Sequence, residues 1–71
     1  MKELTKKYIF WDLDEIKKDM KRKNYTTAES DYYRLRGAVC YMKCNEDLTE
    51  EEYKQLNKFL KKLYKFILLK A

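Results

Sequence analysis

Apolar residues recur every three or four positions along most of this chain, with no proline and a single glycine to interrupt them. That spacing lines up side chains on one face of an α-helix, whereas a half-buried strand would need strict alternation. Three stretches carry it: Leu13, Ile16 and Met20; Ala28, Tyr32, Leu35, Val39 and Met42; and Tyr53, Leu56, Leu60, Leu63 and Ile67. The expected fold is all-α.

Three helix starts are readable as a cap residue followed three places later by glutamate: Asp12 with Glu15, Thr26 with Glu29, and Thr49 with Glu52. Trp11 and Leu48 precede the first and third caps, where each can staple onto Ile16 or Tyr53. These signals predict helices over about 13–23, 27–44 and 50–70. Short connections near Asn24 and Asn45 favour antiparallel neighbours, and asparagine tolerates the left-handed conformation that ends a helix. A small antiparallel three-helix bundle is the economical architecture. Residues 5–11 are ambiguous between strand, arm and helical extension; Ile9 falls in step with Leu13 and Ile16, which favours helix. With 71 residues and no Ser/Gly-rich linker, one domain spanning 1–71 is expected.

The residue inventory argues against catalysis. Histidine is absent, which removes the commonest general base, and there is no glycine-rich phosphate loop. Cys40 and Cys44 lie one helical turn apart, but without histidine they do not complete a zinc site. They are too few for a disulfide framework, so they read as small, buried-type residues with free thiols. No cofactor, metal or catalytic residue is expected. The apolar stretch Tyr8 to Trp11 is shorter than a signal-peptide core, and the run Phe66 to Leu69 is too short to span a bilayer. A cytoplasmic location is the expectation.

Seventeen basic against twelve acidic residues favour an anionic partner without choosing among nucleic acid, an acidic protein face and an anionic membrane. A helix over 50–70 places Lys54, Lys58, Lys61, Lys62 and Lys65 opposite its apolar stripe, five cations along ~16 Å. A second cluster, Lys17, Lys18, Lys21, Arg22 and Lys23, closes the first helix, where cations also complement the helix dipole. Nucleic-acid binding through these groups would rest mainly on backbone electrostatics, since 14 of the 17 cations are lysines. It gains force if both clusters converge on one side with tyrosines at hand for stacking.

The second helix carries the less ordinary surface. Opposite its apolar stripe it holds Ser30, Tyr33, Gly37, Cys40, Tyr41 and Cys44 without one charge, where a purely solvated face would normally be charged. Glycine costs about 1 kcal/mol in a helix interior, so Gly37 points to a close backbone approach, a bend or a break. Tyr33, Gly37, Cys40, Tyr41 and Cys44 are thus candidate partner-binding residues, unless this helix is central and covered on both sides. Phe59, Phe66, Leu68 and Leu69 widen the apolar arc of the third helix, which suits contact with both other helices, a dimer seam or, less commonly, a membrane surface.

In size, lysine and tyrosine content and lack of catalytic groups, the chain resembles the short accessory and anti-defence proteins of bacteriophages and mobile elements, anti-CRISPR proteins included. That resemblance is one of composition and implies a class of role: docking on a larger macromolecule and modulating or inhibiting it. Direct nucleic-acid binding is the rival expectation, and a homodimer joining two basic surfaces would reconcile the two.

Overall fold

The computed structural model describes residues 1–70 and is a three-helix bundle: α1 Glu3–Lys21, α2 Tyr25–Cys44 and α3 Glu50–Lys70. No strand occurs among the described residues. The helices run up, down and up. Asp12 meets Arg34 and Lys2 meets Asp47 across α1 and α2, while Tyr33 meets Tyr64 and Lys43 meets Glu50 across α2 and α3. α2 is therefore the shared neighbour. The backbones of α1 and α3 run parallel and barely approach each other.

The α1–α2 contact has a coiled-coil register. The buried residues of α1 are Thr5, Ile9, Asp12, Ile16 and Asp19, and those of α2 are Ala28, Tyr32, Leu35, Val39 and Met42. Both series step by four, three, four and three, the heptad seam that holds one helix against another. α3 adds Leu60 and Ile67 to this core, with Tyr53, Leu56, Leu63 and Tyr64 packed half-buried against it.

The first helix starts at Glu3 rather than near residue 13, and residues 5–11 belong to it. Nothing between Lys2 and Trp11 breaks a helix, and Thr5 and Ile9 continue the seam of Asp12 and Ile16. Asp12 is consequently no cap. It sits in the middle of α1, fully buried, and Trp11 beside it is 57% exposed rather than stapled. The second helix starts at Tyr25, so Thr26 lies inside its first turn; the N-cap Asn24 makes no side-chain capping bond. The third signal is a capping box as expected: the Glu52 backbone N–H donates to Thr49 Oγ1 at 3.1 Å, and the Thr49 N–H donates to Glu52 Oε1 at 2.9 Å.

Both connections close with the same Schellman arrangement. The Asn24 N–H donates to the Asp19 carbonyl at 2.9 Å and the Lys23 N–H to that of Met20 at 3.1 Å; Asp47 to Met42 and Glu46 to Lys43 repeat it. The left-handed residues are Lys23 (φ 59°) and Glu46 (φ 62°), not the asparagines beside them. Gly37 neither bends nor breaks α2, and a Cβ built on it would meet no atom within 4 Å. Its expected close backbone neighbour is not among the described residues. Cys40 and Cys44 are free and exposed, not buried.

Candidate functional site

Because α1 and α3 pack on α2 more than on each other, a groove stays open between them. At its lower end it has a volume of about 550 Å³, lined among others by Phe10, Leu13, Leu56 and Phe59. A second stretch of about 270 Å³ continues it past Leu13 and Phe59 to Met20, Leu63 and Phe66. Phe10, Phe59 and Phe66 remain 58%, 46% and 49% exposed. These rings are neither core nor an ordinary solvated face. They form the walls of a concave apolar strip, and Leu56 to Phe66 alone covers ~15 Å of helix.

The rim of the groove is charged unevenly. Glu3 and Glu52 stand at the α1 N-terminal end, but Glu52 is engaged by the Thr49 N–H and by the Met1 amino group at 3.0 Å. Those partners hold its carboxyl below the usual range, the Thr49 N–H contributing most. Lys6 and Lys17 line the groove without an ion-pair partner among the described residues, and the Lys70 amine lies 5.8 Å from the centre of the Phe66 ring. The uncommitted rim charge is mainly positive.

On the other side of α3 lies a cleft of about 360 Å³ against α2. Tyr32, Tyr53 and Tyr64 line it together with Asn57, Arg36, Lys61 and Lys65. Its wall is an aromatic network: the Tyr32 and Tyr64 rings stack at 4.9 Å, and the Tyr33 and Tyr64 hydroxyls hydrogen bond at 3.0 Å. That bond, followed by partial burial, raises the Tyr64 phenol above its ordinary pKa.

No known protein family, curated protein or solved structure matches the chain.

The candidate residues on α2 separate into two groups. Tyr33 reaches Tyr64, and Cys40 Sγ lies 3.7 Å from the Tyr53 hydroxyl, so both turn toward α3. Part of the uncharged face is thereby explained within the chain. Gly37, Tyr41 and Cys44 face solvent, Tyr41 at 67% exposure. The basic groups do not converge. Lys61 and Lys65 line the α2–α3 cleft with Lys54, Lys58 and Lys62 exposed on the same helix, whereas Lys17 lines the α1–α3 groove on the opposite side. Lys18 is held by Asp14 at 3.4 Å and Glu15 at 3.8 Å, Lys21 is exposed, and Arg22 caps the C-terminus of α1.

The seam contains a further polar group. Arg34 donates to Asp12 Oδ1 and lies 3.2 Å from Asp31, but Asp12 Oδ2 and Asp19 Oδ2 are buried without a donor. A protonated Asp19 can donate to Asp31. That hydrogen bond, then burial, then the charges of Asp31 and Glu15 push its pKa up to about 6 against the pull of Arg22. These carboxylates face the helix interface, where they bear on stability.

The sequence disclosed half of the groove, the Phe59 and Phe66 edge that widens the arc of α3, but not the Phe10 and Leu13 edge of α1 that faces it, because only the packed bundle brings the two edges together. No helix among the described residues is long and apolar enough to cross a membrane.

Proposed function

We propose that this is a non-catalytic docking protein that seats an amphipathic helix of a larger protein in the α1–α3 groove and so modulates or inhibits that partner. The observation that supports this reading is the groove itself, an apolar channel with three half-exposed phenylalanines on helices that leave the position of a fourth helix open. A partner helix with apolar anchors at i, i+3 or i+4, and i+7 would meet these walls at matching intervals. Lys6 and Lys17, without an ion-pair partner among the described residues, favour acidic residues along its flanks. The compositional likeness to phage accessory and anti-defence proteins agrees with an inhibitory role. Catalysis has no support in the residue inventory, which lacks histidine.

The test is affinity capture from nuclease-treated lysate with the wild-type protein, Phe59→Asp and Tyr41→Asp, each checked for helicity by circular dichroism. The expected result is a partner held by wild type and Tyr41→Asp and lost by Phe59→Asp. Retention by Phe59→Asp with loss by Tyr41→Asp would move the interface to the outer face of α2. A wild-type dimer in light scattering, dissociated by Phe59→Asp, would assign the groove to a second copy instead.

A further inference from the structure

We infer that the α2–α3 cleft binds single-stranded nucleic acid, one base entering between Tyr53 and Tyr64 while the neighbouring phosphates run along the lysines of α3. The cleft is on the opposite side of α3 from the groove, so this inference stands or falls independently of the docking role.

Three observations carry it. First, Arg36 from α2 and Lys61 and Lys65 from α3 converge on one concave site, and none of them forms an ion pair among the described residues. The nearby acids lie beyond the cleft lining: Glu50 is taken up by Lys43 at 3.0 Å, and Glu29 acts on Tyr64 only as a minor influence. Second, the wall between these cations is aromatic, and the Asn57 amide within it has no side-chain hydrogen-bond partner among the described residues. Aromatic faces accept any base, and an amide can pair with a base edge. Third, the volume of about 360 Å³ is at the small end of ligand sites, enough for a nucleotide-sized group but not for a helix. Lys54, Lys58, Lys61 and Lys65 extend the charge along the rim at one-turn intervals. A duplex keeps its bases stacked inside and has nothing to insert, so the cleft selects single strands where a bare lysine strip would not.

The experiment is fluorescence anisotropy at ~50 mM salt, where electrostatic binding is strongest. The probes are a labelled oligothymidylate of about ten nucleotides, a duplex of the same charge and polyglutamate. The single strand is expected to bind at least tenfold more tightly than either competitor. Arg36→Ala with Lys61→Ala should weaken it tenfold or more, and Lys7→Ala with Lys23→Gly, which removes the same charge elsewhere, by less than twofold. In amide NMR titration the shifts should centre on Arg36, Asn57, Lys61 and Tyr64. Absence of binding, equal affinity for duplex or polyglutamate, equal losses in the two double variants, or shifts spread over the end of α1 would each overturn the inference.

Discussion

Gly37 lies in an uninterrupted helix with open space where its side chain would be. Alanine there removes backbone freedom from the unfolded chain and adds no clash, so Gly37→Ala should stabilise by about 0.5–1 kcal/mol. Thermal unfolding would register this as a rise of several degrees for a domain of this size, since 1 kcal/mol corresponds to about 4–8 °C. The substitution also probes function: partner capture unchanged in Gly37→Ala agrees with an interface on the groove, and loss of capture despite higher stability points to the outer face of α2. Lys23 and Glu46 present the converse case. Each adopts the left-handed conformation that glycine accepts without strain, so Lys23→Gly and Glu46→Gly should each raise the melting temperature by a few degrees, and a drop in either would contradict the strain assigned to them.

Among the elements, the α1–α2 seam is where polar chemistry meets packing. A buried carboxylate without a partner is strongly destabilising, and Arg34 offsets that for Asp12. Removing it in Arg34→Ala should cost about 2–4 kcal/mol in chemical denaturation, and adding Asp12→Leu to that variant should restore most of the loss, because the seam is otherwise apolar at this level. Asp19 contributes in the opposite sense. Its folded pKa of about 6 is above the ordinary 3.8, so the stability linked to its protonation is complete below about pH 4 and is lost as pH rises through 6. Melting temperature should therefore increase from pH 7 to pH 5, and Asp19→Asn should raise it at pH 7 and flatten this dependence; an unchanged profile in Asp19→Asn would remove Asp19 as its origin. The seam also shows what was and was not legible beforehand. Apolar spacing disclosed α2 and α3 almost to the residue, and the Thr49–Glu52 box holds in detail. Asp12 and Glu15 share that spacing, yet the same three-residue step occurs inside any helix. Only the tertiary register, with Thr5, Asp12 and Asp19 each seven apart against α2, separates a cap from a buried seam residue.

For the molecule as a whole, the decisive fact is an asymmetry of packing. α2 is flanked on both sides, while α3 borders an apolar groove against α1 on one side and a basic, tyrosine-lined cleft against α2 on the other. Neither surface was visible to a reading that took one helix at a time, since each is built from two helices and only the bundle decides which edges meet. The expectation of a docking surface rested on the α2 face, part of which is closed by Tyr64 and Tyr53. The lysine-rich face of α3 likewise gains a specific reading only once Arg36 and the tyrosines are placed beside it. The docking role is tested most directly by photocrosslinking from a photoreactive phenylalanine analogue at position 59 or position 41 in nuclease-treated lysate. The groove predicts a discrete protein adduct from position 59 and none from position 41, and an adduct from position 41 alone would contradict it.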